Sequence, residues 1–220
     1  MQPEILAELR RRRVTRLCHF THPRNLDGIL DRGGLWSATE LKAHGWPHLS
    51  NDDLRLDGRP DLISCSVEVP NAWLMRRLEG EFVVLALDPE LAAARTSRFS
   101  RHNASKHKGE LVGEGPAAFK RSFSDGRGPF EWRSDRMSSR YPTDFQAEVL
   151  LDRHVPIGRI REVIVQTSLG VEVLPSSVAR FARATGLPVR ASPTMFDADA
   201  LRECVRSGNN PPIQTIWAPS

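Results

Sequence analysis

Cysteine is scarce. Cys18, Cys65 and Cys204 are the only three in 220 residues, they lie far apart, and no Cys-x-x-Cys pair is present. Neither a disulfide framework nor a zinc knuckle is indicated, and a reducing, cytoplasmic setting is expected. No apolar run approaches the roughly 18 residues of a membrane span, and the arginine cluster near the N-terminus has no apolar signal region behind it, so no membrane association is expected. Also missing are Gly-x-Gly-x-x-Gly after a strand, a P-loop, Gly-x-Ser-x-Gly and His-Glu-x-x-His. The common dinucleotide, nucleotide, hydrolase and metalloprotease templates are therefore unsupported. Seven scattered histidines form no tight ligand cluster, so no metal is expected and a metal-dependent nuclease is disfavoured. There is no internal repeat and no low-complexity linker.

What is present is enough apolar residue for a core, 40% of the chain, and the length suits a single domain over residues 1–220. The chain is basic, with a net charge of +4 and a pI near 9.3, which suits a polyanionic partner. The charge is uneven. Residues 95–140 hold eleven Lys/Arg against five Asp/Glu, a surplus of six that exceeds that of the whole chain. Phe99, Phe119, Phe123, Phe130 and Trp132 are interleaved there with Arg101, Lys106, Lys108, Lys120, Arg121 and Arg140. Cations neutralise phosphates and aromatic faces stack on unpaired bases, so this pattern suits single-stranded nucleic acid; it suits equally a long solvated loop pinned to the core by its aromatics.

Periodicity predicts helices over Pro3–Arg13 and over the segment from Pro23 to Gly33 or Gly34, where either glycine suits a left-handed cap. Arg16–Thr21 reads as a strand with Leu17, His19 and Thr21 on one face and Cys18 and Phe20 on the other. Residues 38–60 read as a loop or mobile cover. Asp61–Val69 reads as a strand with Ser64, Ser66 and Glu68 opposite an apolar face, and a helical turn with Trp73 and Leu74 follows. Further strands are expected at Glu81–Leu87, Ile160–Gln166 and Leu187–Ala191, and helices at Ser176–Ala184 and Asp197–Arg206. Strands crowd the middle and helices flank both ends, which favours a mixed α+β fold.

The most informative stretch is Tyr141–Leu151, YPTDFQAEVLL. Its alternation predicts a strand with Phe145, Ala147, Val149 and Leu151 on one face and Gln146 and Glu148 on the other. A Gln-x-Glu pair can present two polar groups to one small ligand; on its own it equally suits an edge strand with two solvated side chains.

Taken in order, RLCHFTHPRNLDGIL, GGLWS, LISCSVEVPNAW and YPTDFQAEVLL resemble the DarT family of bacterial DNA ADP-ribosyltransferase toxins, over roughly residues 14–166. The resemblance implies an ADP-ribosyltransferase-like fold, two small packed β-sheets with flanking helices around an NAD cleft. It places His19 and Thr21 against the NAD adenosine or nicotinamide ribose and Asn25 nearby at the next helix start. Ser64 and Ser66 fall on the second strand of the cleft, and Asn71 and Trp73 in the family-like PNAW segment. Glu148 becomes the catalytic carboxylate, stabilising positive charge at the ribose and helping to remove a proton from the acceptor. Gln146 becomes the group that reads the acceptor, and with PNAW it favours guanine over thymine. Thymidine-modifying members use an arginine after the first strand-helix unit, for which Arg55 is the candidate and Arg59 the alternative. The implied partners are NAD as donor, single-stranded DNA, and a macrodomain antitoxin. Rival readings are transfer to RNA or protein in the same cleft, and a nucleic-acid-binding module without catalysis.

Overall fold

A computed structural model describes residues 1–50, 58–78, 80–125, 132–167 and 174–219. The strands are β1 (Leu17–Thr21), β2 (Gly34–Trp36), β3 (Ile63–Val67), β4 (Val83–Leu87), β5 (Arg98–Ser100), β6 (Gly113–Glu114), β7 (Glu148–Leu151), β8 (His154–Pro156), β9 (Ile160–Val165), β10 (Val189–Ala191) and β11 (Gln214–Trp217). Nine of them form one sheet in the order β11-β10-β9-β4-β1-β3-β7-β5-β6, and β2 with β8 forms a two-stranded companion. The mixed α+β class stands, but the strands divide unevenly rather than into two small sheets. Only β10 runs parallel to its neighbour β9 among the registered pairs.

Alternation along the strands separates two apolar layers. Leu17, Ile63, Cys65, Leu85, Phe99 and Val149 belong to one. Onto that layer pack α1 (Pro3–Arg12) through Ile5 and Leu9, α2 (Asn25–Asp31) through Leu26 and Ile29, α5 (Gly115–Arg121) through Phe119, and α6 (Ser176–Thr185) through Val178 and Phe181. Cys18, Val84, Ala86 and Ile164 belong to the other, covered by α4 (Ala72–Met75) and α7 (Ala198–Arg206) together with Tyr141 and Phe145. Full burial of each such side chain contributes roughly 1.5–3 kcal/mol.

Gly33, at φ 70°, ends α2 in the left-handed region, as expected. Gly34 serves a different purpose: a Cβ there would stand 2.2 Å from the Val155 carbonyl oxygen, so the absence of a side chain lets β2 reach β8.

Two expectations are corrected. Residues 38–43, read as part of a loop, form α3 (Ala38–Ala43), whose N-cap Ser37 accepts a hydrogen bond from the Glu40 amide. The strand read over Tyr141–Leu151 is shorter. Before β7 the chain makes an Asp-initiated turn in which Asp144 Oδ1 accepts from Gln146 N at 2.8 Å and Asp144 O accepts from Ala147 N at 2.9 Å. Gln146 therefore lies in a turn and shares no strand face with Glu148.

Candidate active site

The site forms where the sheet opens. β1 pairs with β4 along its whole length, yet among the described residues it registers with β3 only at Leu17–Val67 and Cys18–Ser66. Past Cys18 the strands part, and His19 bridges the gap, its Nδ1 2.9 Å from the Ser64 carbonyl oxygen. A carbonyl only accepts, so Nδ1 carries the proton of this bond. Side chains from both faces of the sheet line the resulting cleft.

Glu148, at the first residue of β7, enters that cleft beside β3 and is only 7% exposed. The Ser64 hydroxyl donates to its Oε2 at 2.9 Å. Ser66, in register with Glu148, donates from its own hydroxyl to the Cys18 carbonyl oxygen at 3.4 Å and so ties β3 to β1. Thr21 is buried, and its Oγ1 accepts from Asn25 Nδ2 at 3.0 Å. Asn25 also grips the segment over the cleft: Nδ2 donates to Leu49 O and Oδ1 accepts from Leu49 N, each at 2.8 Å.

Asn71 caps α4, its Oδ1 accepting from Leu74 N at 3.0 Å, while Nδ2 is buried at the cleft with no hydrogen-bond partner among the described residues. A buried amide donor without a partner costs about 1–3 kcal/mol, which a ligand oxygen would recover. Burial pushes the Cys18 and Cys65 thiols, which also line the cleft, well above the ordinary range. Both stay protonated at neutral pH and are unsuited to nucleophilic work. Among the described residues no group of three or more His, Cys, Asp or Glu could hold a metal ion.

This constellation has counterparts. A family model described as "ssDNA thymidine ADP-ribosyltransferase, DarT" matches residues 18–197. The chain belongs to the DarT family. Among solved structures, Thermus sp. 2.9 DarT in complex with NAD+ is 17% identical, with a TM-score of 0.56 over 83% of this chain and 97% of that one. The same protein in complex with ADP-ribosylated ssDNA is 18% identical, with a TM-score of 0.55 over 84% and 97%. Thermosipho africanus DarTG in complex with ADP-ribose is 16% identical, with a TM-score of 0.53 over 83% of this chain and 51% of that one. This chain thus spans about half the length of the Thermosipho protein. At these identities the likeness shows the fold. The search of curated proteins gave no match.

Within the DarT-family chain, His19, Thr21, Asn25, Ser64, Ser66, Asn71 and Glu148 all meet in the cleft. Trp73 does not line it: its ring stacks on Phe145 at 5.5 Å and lies under the Arg202 guanidinium. Gln146 does not line it either. Arg55 lies outside the described residues, as does Phe130, while Arg59 is exposed.

The basic residues do not form one patch. Lys106 and Lys108 are exposed on a short 3-10 turn just past Asn103 and Ser105, which line the cleft. Lys120 and Arg121 end α5, which packs through Phe119 on Phe99, and so against the sheet face opposite Glu148. Arg101 is tied to the Ser124 carbonyl at 3.1 Å. Arg140 reaches Arg13 O at 3.2 Å and Glu68 at 3.9 Å, beyond the start of β1. Asn103, Ser105, Arg32 and His48 are cleft residues that the sequence reading missed. None belongs to a motif; the one available signal was that long loops in compact domains are often functional.

Proposed function

We propose that this chain transfers ADP-ribose from NAD to a base of single-stranded DNA, with Glu148 as the catalytic carboxylate. The observation that carries the reading is the meeting, where β1 and β3 part, of a buried carboxylate held by a serine hydroxyl, a histidine whose Nδ1 is bound to a backbone carbonyl and a buried amide donor without a partner among the described residues. NAD, when bound, supplies a ribose carbon whose bond to nicotinamide breaks with the electron pair leaving on nicotinamide, as the acceptor base forms its new bond to that carbon. Glu148 places negative charge beside the carbon as positive charge builds there, and takes the proton the base releases. Ser64 holds one carboxylate oxygen in place, and Asn71 Nδ2 donates to an oxygen of the donor. The buried walls lower the local dielectric and strengthen each of these terms.

The acceptor base is the finer question. The resemblance favours guanine on the PNAW and Gln146–Glu148 segments together, and with Gln146 in the turn the shared strand face no longer supports it. The family description names thymidine, which becomes the first acceptor to test. By resemblance, the chain acts as the toxin of a pair whose antitoxin is a macrodomain protein, and it works in the cytoplasm.

The deciding experiment is transfer of labelled ADP-ribose from NAD to single-stranded oligonucleotides of defined base content, with Glu148→Ala in parallel. Label on DNA that disappears with the variant, and mass analysis locating it on thymidine, is the expected result. Label on guanosine would restore the earlier preference. Label confined to RNA or protein would move the acceptor, and no label with any acceptor would remove the enzyme reading.

A further inference from the structure

We propose that Trp132 and Arg206 form a stacking platform for a nucleotide that flanks the acceptor base in single-stranded DNA, an inference that rests on the reading above. Trp132 is 49% exposed, one of four large apolar side chains so placed among the described residues. Its ring is not loose: the Arg206 guanidinium lies over it at 5.0 Å. One turn earlier on α7, about 6 Å along the axis, Arg202 covers the ring of Trp73 at the same distance of 5.0 Å. Trp73 in turn stacks on Phe145, which stands three residues before Glu148.

The ladder lies on the same side of the sheet as the carboxylate. Cys18, Ser66 and Glu148 are in register across β1, β3 and β7, so they point to one face. On that face α7 packs through Leu201 and Val205 in the cluster that includes Cys18 and Phe145. Two arginine-tryptophan pairs therefore run outward from the turn that delivers Glu148.

Their chemistry fits an unpaired nucleotide better than a peptide or a duplex. An indole with one face against a guanidinium is a rigid plane whose remaining surface can take any base, since every base has a π-face. The guanidinium supplies charge for the adjoining phosphate. The local charge is mixed: Asp199 lies 3.4 Å from Arg202 and 3.0 Å from Arg76, and the charge of Asp144 is felt at Arg206.

The test is anisotropy of a fluorescein-labelled twelve-nucleotide single strand titrated with native protein, Trp132→Ala, Trp132→Phe and Arg206→Ala, alongside ADP-ribose transfer to the same strand and to the mononucleotide of its acceptor base. Trp132→Ala is expected to weaken binding of the long strand by about five- to hundredfold, with Trp132→Phe close to native. Arg206→Ala should reduce the salt slope of binding by about 0.7. Transfer to the mononucleotide, which has no flanking base to stack, should be unaffected by any of the three. Equal binding by native and Trp132→Ala, or equal loss in the Phe and Ala variants, overturns the platform even if transfer is intact. Binding that depends on Trp132 with no transfer to any DNA leaves the platform standing and removes the catalytic reading instead. Absence of single-strand binding by the native protein removes the platform outright.

Discussion

The Ser64 hydroxyl donates to Glu148 Oε2 at 2.9 Å, a diagonal contact between neighbouring strands, because the residue in register with Glu148 is Ser66. A hydrogen bond to a carboxylate is worth about 1.5–3 kcal/mol, enough to decide which way the side chain points. Ser64→Ala is expected to lower kcat for transfer about tenfold with little change in the KM for NAD, because it removes one hydrogen bond from the carboxylate without removing the carboxylate. Glu148→Gln keeps the shape and loses the charge, and should cost about 10²- to 10³-fold in kcat. Steady-state kinetics of the two variants check this, and a Ser64→Ala enzyme with native kcat would show that Glu148 is held by other groups.

Asn71 allows its two functions to be separated. Its Oδ1 caps α4 and its Nδ2 faces the cleft without a partner. Asn71→Asp retains an N-cap acceptor while replacing the donor with an oxygen. The expected outcome is an unchanged melting temperature and a rise of about tenfold in the KM for NAD. Asn71→Ala should add a loss of about 1 kcal/mol in stability as the cap goes. An Asp variant with native KM would assign the orphan amide to something other than the donor.

Asn25 was expected beside the ligand, but its amide is occupied by Thr21 and by both backbone groups of Leu49. In the proposed reaction its part is to hold the segment at Leu49, which Arg32 also holds by donating to Pro47 O at 3.2 Å. Asn25→Ala should therefore speed hydrogen exchange at the Leu49 amide and raise the KM for NAD, while Glu148-dependent chemistry persists once NAD is saturating. Unchanged exchange at Leu49 would sink this account.

The parts of the fold legible in the sequence were those in which local pattern and burial agree. β1 and β3 show it best: Leu17 and Ile63 go to one layer, Cys18 to the other, and Ser64 and Ser66 to the cleft. The Tyr141–Ala147 segment shows why pattern alone can mislead. Thr143, Phe145 and Ala147 are buried at every second position, yet Tyr141 and Phe145 pack among α7 and α4 residues from a loop, outside any ladder. Alternating burial reports which side chains are covered, and the turn-forming Asp144 was the sign that pairing starts later. α3 was legible and overlooked, since Ser37-x-x-Glu40 is the spacing of a capping box. The short β8 and β11 gave no local signal, because such strands are defined by distant partners. The same holds for Asn103 and Ser105 in the cleft, and for the pairing of Trp132 with Arg206, which are 74 positions apart in the sequence.

Acid should loosen the end of α1. Glu8 is buried, and its carboxylate accepts from Arg11 at 2.7 and 2.9 Å and from Arg12 at 2.6 Å. The hydrogen bonds from Arg11, then those from Arg12 with the charges of both, outweigh burial and bring its pKa down from 4.5 to about 2. The folded state therefore holds this proton less tightly than the unfolded chain. The stabilisation is fully present above about pH 4.5 and is lost as the pH falls toward 2. Its size is on the order of 2 kcal/mol, after a discount for screening on the exposed Arg11 side. Glu8→Gln should lower the urea midpoint at pH 7 and give a flatter dependence between about pH 5 and pH 2. Urea unfolding of both proteins across that range makes the comparison. Parallel curves would mean that the pair contributes equally to the folded and unfolded states, and that the acid sensitivity of the protein arises elsewhere.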